Sequence, residues 1–310
     1  MYKKSNKCFL SCAMAFVLSV CLFLTSFGSL ANAEEKIPTE LGFLYHCELE
    51  ELLKWNSNSG YFDEEQAAEM KAYMDAYILK GETKEYEKAR KIHQWIADNV
   101  KYSYEYNYLD PYEVFTKKSA VCGGYSNLYK AMLNHADIPA VLVSGMTTNG
   151  AHVWNAVYAN GRWFHSDATW GTPYFDPGAD NFIKDHYAQR VEYVSVETKD
   201  GLLIGFDTGI AVVGVKEGMT EVKVPDYFEE YTVSSVSFQL FNAAYGIQKL
   251  EIGAYVNAID TGVRCMTLEE INVSEKNYVF ASKDGVLFSK DLKQMFTYPA
   301  NKKSESFTLP

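Results

Sequence analysis

The chain has 310 residues, of which 40 are acidic and 29 are basic, for a formal charge of −11 at pH 7. This balance disfavours nucleic acid and anionic membrane surfaces as partners, because both repel a negatively charged protein. The length is sufficient for one large domain or two modest ones.

The first 33 residues are predicted to be a signal peptide. Three lysines precede an apolar run from Phe9 to Phe27, and Ala31-Asn32-Ala33 is a small-x-small cleavage site. The run is long enough to span a bilayer, so an uncleaved anchor is the alternative. Cleavage leaves 26 basic and 40 acidic residues and a formal charge of −14. We therefore expect a secreted protein, either free or held at the cell surface, with no membrane segment after cleavage.

The mature chain keeps three cysteines, Cys47, Cys122 and Cys265. Three are too few for a disulfide scaffold, although export permits disulfides. If Cys122 is a working thiol, only Cys47 and Cys265 could form a bridge. We expect both to be reduced and structural.

Residues 34–84 are predicted to form a helical extension before the main domain. Apolar residues follow a helical period from Leu41 to Leu53, and a second helix opens at Asp63, with Gln66 placed for a capping box. A third helix is predicted from about Lys84 to Val100. Because the extension is acidic and precedes the rest, we also consider that it covers a cleft.

Cys122 stands where an irregular segment turns into a helix. From Tyr125 onward apolar residues recur at three- and four-residue spacing, which indicates a helix with one buried face. The free N–H groups and the dipole at a helix N-terminus stabilise a thiolate, and the thiolate is the nucleophile. Gly123 and Gly124 leave the sulfur unobstructed and allow a substrate backbone to approach. The alternative is a buried cysteine that acts as a small hydrophobic residue.

The segment that follows predicts an antiparallel sheet. Ala140 to Met146 is short and β-branched, as in a buried strand, and two extended runs flank the hairpin signal Asn160-Gly161. Counting outward from that turn places Asp167 beside His152 across the sheet. Helices followed by an antiparallel sheet indicate an α+β domain over residues 85–198.

A cysteine nucleophile needs a base and a group that orients the base. His152 lies 30 residues after Cys122, and Asp167 lies 15 residues further on. The hairpin register predicts the contact between His152 and Asp167, whereas the contact between Cys122 and His152 depends on how the helix packs on the sheet. His165 shares the face of Asp167 and is the alternative base.

We expect no cofactor and no metal site, because the remaining histidines lack metal-ligand spacing. Those residues are His46, His93, His135 and His186. His93 lies beside the apolar stripe of its predicted helix and is interpreted as a packing residue.

An aromatic stretch before Cys122 has tyrosines at every second position, from Tyr102 to Tyr108. This spacing places them on one face of an extended segment. We interpret that face as a wall of a substrate cleft, with a tyrosine-lined surface or core edge as the alternative. The backbone N–H of Cys122 is one donor for an oxyanion. The other candidates for the oxyanion site and the cleft are Gly123, Tyr102, Tyr104 and Trp154.

From about Lys199 the helical period vanishes and a pattern of apolar-x-x-apolar-x-apolar appears three times. The copies begin at Met219, Ile247 and Leu268, with offsets of 28 and 21 residues. Short strands at a period near twenty indicate a solenoid, in which each unit buries its face against its neighbours. Asp284-Gly285 predicts a further hairpin turn. Residues 199–310 are therefore predicted to be a small β-rich repeat domain.

Five blocks between residues 85 and 175 resemble the transglutaminase-like core in their order and spacing. They are Lys88–Ile96, Val121–Leu128, Ile138–Gly145, Ala151–Val157 and Trp163–Trp170. The resemblance implies a papain-like fold with Cys122 as nucleophile, His152 as general base and Asp167 as the residue that orients the histidine. That family includes transglutaminases, cysteine peptidases, peptide N-glycanases and members that have lost the triad. All three positions are intact here, which disfavours the last group.

The C-terminal third resembles the BspA-type leucine-rich repeats of bacterial surface proteins, through Asp284–Phe288 and Tyr298-Pro299. Together the two resemblances imply a secreted thiol enzyme that acts on amide bonds of protein or peptide substrates through a thioester. With water as acceptor it is a cysteine peptidase or amidase, and with a lysine amine it is a cross-linking enzyme. The alternative is a catalytically idle adhesin that binds a cell-surface or host protein through its repeats.

Overall fold

The structure, a computed structural model, describes residues 37–53, 63–105, 107–237, 246–259, 265–304 and 306–310. The predicted signal peptide, the predicted helix break at 56–60 and Tyr106 lie outside the described residues. Within these ranges no helix is both long enough and apolar enough to cross a bilayer.

Helices make up most of the first half of the described chain. They are α1 Thr39–Leu44, α2 Leu49–Leu53, α3 Glu64–Tyr73, α4 Glu85–Asn99, α5 Pro111–Lys117, α6 Cys122–His135 and α7 Ala179–Phe182. A π-helical turn, Met74–Leu79, extends α3, and a 3-10 turn covers Thr172–Tyr174. The α+β class expected from the sequence is the class observed, with helices before an antiparallel sheet.

The start of α3 confirms the predicted capping box. The Asp63 side chain accepts the Gln66 N–H, and the Gln66 side chain accepts the Asp63 N–H. By contrast, the single helix predicted from Leu41 to Leu53 is two short helices. The turn between them lets the Tyr45 hydroxyl accept the backbone N–H of Trp163 at 3.2 Å, which ties this segment to the sheet.

A four-stranded antiparallel sheet packs against α6, and a short parallel pair of strands precedes it in the chain. The strands are β1 Lys101–Tyr102, β2 Ser119–Ala120, β3 Ala140–Thr147, β4 Gly150–Ala159, β5 Arg162–Ser166 and β6 His186–Val191. The order across the four-stranded sheet is β5-β4-β3-β6. Asn160 and Gly161 both have positive φ, 53° and 77°, as a two-residue hairpin turn requires. Tyr158 pairs with Trp163 across this turn, which is the register obtained by counting outward from Asn160-Gly161. Strand β6, which pairs with β3, was not predicted from the sequence.

Helix α6 packs closely on the segment before it because of Gly124. A Cβ at Gly124 would come within 2.2 Å of the Tyr108 carbonyl oxygen and 2.6 Å of the Ala120 Cβ. At Gly123 a Cβ would meet only the Leu109 Cδ2, at 3.2 Å. Gly124 therefore serves helix packing and not the substrate access expected from the sequence, whereas at Gly123 only the end of the Leu109 side chain would have to move.

The C-terminal third is built of short strands. They are β7 Val196–Glu197, β8 Leu202–Phe206, β9 Ile210–Val215, β10 Glu221–Lys223, β11 Tyr227–Phe228, β12 Tyr231–Val236, β13 Lys249–Ile252, β14 Ala258–Ile259, β15 Glu270–Val273, β16 Phe280–Lys283, β17 Val286–Ser289 and β18 Met295–Thr297. The antiparallel pairing of β16 with β17 around Asp284-Gly285 confirms the predicted hairpin.

Strands β10, β13 and β15 form a parallel sheet in which Val222, Leu250 and Ile271 share one rung. The offsets of 28 and 21 residues found in the sequence are thus the register of this sheet. A second parallel ladder, which the sequence pattern did not indicate, joins β9, β12 and β14. Each repeated unit therefore contributes one strand to each of two ladders.

One hydrophobic core is continuous from the four-stranded sheet into the C-terminal strands. It includes Trp154 and Phe182 on one side and Ile204 and Val212 on the other. A second core lies between the helices and the sheet. The described part of the segment 34–84 is packed in both, with Phe43 in the first and Met70 in the second.

We expect Gly124→Ala to lower the free energy of unfolding by about 1–3 kcal/mol, because the added methyl group overpacks a backbone contact. Urea denaturation measures this change. Gly123→Ala is the matched control, since alanine is favoured over glycine in a helix by up to about 1 kcal/mol. Equal losses in the two variants would contradict the packing role of Gly124.

Candidate active site

Cys122 is the first residue of α6, where backbone N–H groups have no partner inside the helix. Its half-buried thiol is hydrogen-bonded to the His152 side chain and to the backbone N–H groups of Val153 and Gly123. Burial by itself would raise the pKa of the thiol. The hydrogen bonds and the charge of His152 outweigh burial, so the pKa lies below its ordinary value. This environment favours the thiolate.

His152 lies on β4 and connects the thiol to a carboxylate. Its Nε2 is 2.7 Å from the Oδ2 of Asp167, which leaves Nδ1 for Cys122. Burial lowers the pKa of the imidazole, but the hydrogen bonds and charges of Asp167 and Cys122 raise it to about 9. The protonated ring is therefore the stable form at neutral pH.

Asp167 follows the end of β5 and is 1% exposed. Its Oδ1 accepts the backbone N–H of Thr169 at 2.8 Å, and its Oδ2 also lies 3.2 Å from the Nε2 of His186. Burial would raise the pKa of this carboxyl, but the two histidines hold it at about 2. The group is a buried carboxylate whose oxygens all have partners. The predicted proximity of His152 and Asp167 is thus observed in the structure.

The contact that the sequence left open, between the helix and the sheet, depends on two buried polar side chains. The Ser126 hydroxyl, one turn after Cys122, donates to the Val153 carbonyl oxygen at 2.9 Å. The Asn155 amide donates to the Ser126 carbonyl oxygen at 3.1 Å. These bonds dock the first turn of α6 on β4, and they bring Cys122 to His152. Polar residues inside otherwise apolar runs were the signal that could have identified them.

His186, the first residue of β6, is a site residue that the sequence reasoning missed. Its Nδ1 lies 2.6 Å from the Oδ1 of Asp185, and its Nε2 faces Asp167. No spacing rule identifies it, because β6 itself was not predicted. The nearest sequence signal is the Asp185-His186 pair.

Among the described residues, His152, Asp167 and His186 also place potential metal-binding atoms within 4.8 Å of one another. Both histidines, however, lie at hydrogen-bond distance from the same carboxylate oxygen, 2.7 and 3.2 Å. We therefore interpret the group as a hydrogen-bonded chain.

Tyr102 and Tyr104 lie beside the thiol. The Tyr102 hydroxyl lies near the backbone N–H of Cys122 and near the Tyr104 side chain. Burial, then Tyr104 and the neighbouring Cys122, raise the pKa of Tyr102 to about 12, so its hydroxyl stays protonated. Tyr104 is 82% exposed and its ring meets the Tyr102 ring edge-on at 5.4 Å.

Trp154 does not line a cleft, which corrects the expectation from the sequence. Its side chain is fully buried behind His152, and its Nε1 donates to the Nδ1 of His165 at 3.1 Å. The period-two alternation of β4 turns Trp154 and His152 to the same face, where the tryptophan lies deeper in the core. His165, the alternative base, is directed to Trp154 and to Glu40, 3.1 Å from its Nε2, and not to the thiol.

Residues 72–168 match the model of a family described as the transglutaminase-like superfamily. A mouse protein named kyphoscoliosis peptidase is 28% identical over 123 residues, which cover 34% of this chain and 19% of that protein. The chain therefore aligns with about a fifth of the length of this relative.

Two solved structures are similar at low scores. A candidate cysteine protease from Cytophaga hutchinsonii has a TM-score of 0.37 and 19% identity over 50% of this chain and 49% of that one. A leucine-rich repeat protein from Eubacterium ventriosum has a TM-score of 0.25 and 24% identity over 29% of this chain and 23% of that one. From the family match, residues 72–168 of this mixed helix-and-sheet protein form a transglutaminase-like domain.

Proposed function

We propose that this protein is a secreted thiol enzyme that acts on amide bonds of proteins or peptides through Cys122, His152 and Asp167. One observation carries the proposal, the hydrogen-bonded line from the Cys122 thiol through His152 to a buried carboxylate. A nucleophile, a base and a group that orients the base are the three parts that nucleophilic catalysis requires. The family match of the same residues supports it.

In the first half of the reaction the Cys122 thiolate attacks the amide carbonyl carbon, and negative charge moves to the carbonyl oxygen. The Cys122 N–H, which lies beside the Tyr102 hydroxyl, is placed to donate to that oxygen. The protonated Tyr102 hydroxyl can then supply a second donor. The C–N bond breaks, His152 gives its proton to the leaving amine, and the acyl group remains on Cys122 as a thioester.

In the second half an acceptor attacks the thioester carbonyl carbon, and His152 takes the acceptor's proton. The C–S bond breaks and the Cys122 thiolate is restored. With water the product is a carboxylic acid, and with a lysine amine it is an isopeptide cross-link. We favour hydrolysis, because the mouse relative is named a peptidase.

We further propose that residues 1–33 direct export and are cleaved, so that the enzyme works outside the cell. Residues 199–310 are the second candidate functional region, which we propose to be a leucine-rich-repeat-like solenoid. The parallel rungs in the register of the sequence repeat support this. Such a surface suits binding of a cell-surface or host protein, which would hold the enzyme near its target.

The pH dependence of Cys122 alkylation by iodoacetamide tests the thiolate. Because its pKa is lowered by His152, we expect wild type to react at pH 6. We expect His152→Ala to react on the order of 100-fold more slowly there, as a thiol with a pKa of about 8.5 does. Peptide mass spectrometry assigns the label to each cysteine.

Cys47 is the internal control, because burial and then the charge of Glu48 raise its pKa to about 12. It should stay unlabelled at pH 6 in both proteins. If Cys122 reacts in both proteins only as an ordinary thiol, the transglutaminase-like domain is a scaffold. The alternative of a catalytically idle adhesin is then favoured. Casein with biotin-cadaverine then separates the acceptors, since hydrolysis shortens casein and transamidation labels it.

Catalysis should depend on pH through the ionisation of both Cys122 and His152. The ion pair forms as pH rises through the lowered pKa of Cys122 and is lost as pH rises through about 9, where His152 gives up its proton. We expect kcat/KM for casein hydrolysis to follow a bell between these limits. A profile that keeps rising above pH 10 would contradict the role of His152.

Loosening the contact between α6 and the sheet should weaken the pairing of Cys122 with His152, although neither residue is substituted. Asn155→Ala removes the bond to the Ser126 carbonyl oxygen, so we expect a loss of about 1–3 kcal/mol in the free energy of unfolding. We also expect slower alkylation of Cys122 at pH 6, because the thiol is less well held at His152. Asn149→Ala, which changes an exposed side chain in the turn before β4, is the control. Unchanged alkylation in Asn155→Ala would show that docking does not depend on this amide.

A further inference from the structure

The hydrogen-bonded line does not stop at Asp167. It continues through His186 to Asp185, whose Oδ1 lies 2.6 Å from the Nδ1 of His186. The Oδ2 of Asp185 accepts the Tyr174 hydroxyl at 2.6 Å. The His186 side chain is fully buried, whereas that of Asp185 is 24% exposed. Five ionisable groups therefore stand in sequence from the thiol to a partly exposed carboxylate.

The partners of His186 differ from those of the other buried histidines. His93 has a hydroxyl at Nδ1 and a carbonyl oxygen at Nε2, from Ser166 and Gly171. A hydroxyl can donate, so a neutral ring with one N–H satisfies both contacts. His165 accepts the Trp154 N–H at one nitrogen and can donate to Glu40 from the other.

His186 has carboxylate oxygens at both nitrogens. An ionised carboxylate only accepts hydrogen bonds, whereas a neutral imidazole offers one donor and one lone pair. A neutral ring would thus direct its lone pair at either Asp167 or Asp185. Only the doubly protonated ring donates to both, at 3.2 and 2.6 Å.

The surroundings of the ring suit a cation. Phe182 stacks on it at 4.1 Å between centroids, and Trp170 meets it edge-on at 4.5 Å. The face of Phe182 attracts a positive charge, more strongly where water is excluded. The titratable groups that face the ring are Asp167, Asp185, His152 and Tyr174.

We propose that His186, held as an imidazolium by Asp185, is a positioning residue that fixes Asp167 and limits how strongly His152 holds its proton. The proposal rests on the function proposed above for Cys122, His152 and Asp167. An imidazolium at His186 gives the site alternating charges, because the Asp167 carboxylate then lies between two cations, His152 and His186.

Two consequences follow from this arrangement. The bond from His186 restrains the Oδ2 of Asp167, so that the ring of His152 keeps the orientation that directs Nδ1 to the thiol. The positive charge of His186, 5.7 Å from His152 between ring centroids, also opposes the positive charge on His152. A base whose proton is held less firmly can release it to a leaving amine more readily.

Two substitutions separate these effects. The amide of His186→Gln can donate to Asp167 from the place of Nε2 without a charge, whereas His186→Phe fills the aromatic space and donates nothing. In both we expect the NMR titration of His152 to move upward by about one pH unit, since a like charge at this distance is removed. Alkylation of Cys122 at pH 6 should stay within about threefold of wild type in His186→Gln. In His186→Phe it should fall about 10–100-fold, as when an outer orienting partner is lost.

His165→Phe is the matched control. His165 is also buried, and its ring stacks on Phe182 at 4.5 Å between centroids, as the ring of His186 does. Its nitrogens, however, contact Trp154 and Glu40. Its removal should leave the titration of His152 in place. A residue that only fills space would give the same result at both positions, which would overturn the proposal.

Nitrogen-15 NMR of the wild type reads the His186 ring directly, even if a variant fails to fold. We expect both nitrogens of His186 to carry protons at pH 7, and one to lose its proton in Asp185→Asn. A single protonated nitrogen in wild type overturns the proposal. The function proposed for the triad fails separately, when wild-type His152 does not titrate near 9 or Cys122 does not react at pH 6.

Discussion

The site depends on one constraint, which is the burial of the Asp167 carboxylate. Removing a charge from water costs several kcal/mol unless the charge is paired and hydrogen-bonded. His152 from β4, His186 from β6 and the Thr169 N–H provide those partners. The Asp167 N–H is itself fixed by the Tyr174 carbonyl oxygen at 2.9 Å. Since these groups come from separate segments, the carboxylate is satisfied only when the sheet and the loop after β5 are assembled.

The nucleophile joins this group through a different kind of contact. Helix α6 has an apolar face, which makes it pack on the sheet. That face does not determine the position of the helix along the strands, that is, its height. The bonds from the Ser126 hydroxyl and the Asn155 amide set that height, because each joins a side chain to a carbonyl oxygen of the other element. Gly124 sets the distance of α6 from the segment before it. Apolar packing holds the parts together, and a few buried polar atoms fix their positions.

What could be predicted from the sequence was local. The capping box at Asp63, the turn at Asn160-Gly161 and the repeat offsets each involve residues whose partner lies a fixed number of positions away. The hairpin count even placed Asp167 at His152. His186 could not be found in this way, because its pairing opposite Thr147 depends on how residues 167–185 return to the sheet.

The second ladder of the C-terminal strands was missed for a related reason. The offset between β9 and β12 changes from 23 to 24 residues at the register shift between Val233 and Ser235. The offset of 23 returns between β12 and β14, but the described part of β14 has only two residues to show it. The burial of Trp154 was equally hidden. Alternation along β4 tells which face a side chain takes, but the depth at that face depends on the strands and helices that cover it.

The rear of the site links the two halves of the chain. Phe182 lies between the rings of His165 and His186, and it belongs to the core shared with Ile204 and Val212 of the C-terminal strands. Interiors are packed closely enough that loss of one side of a core leaves cavities and movement on the other. The strands after residue 199 therefore support the position of His186, and through Asp167 the position of His152. A boundary drawn there from composition separates two sequence patterns, but the packing behind the site crosses it.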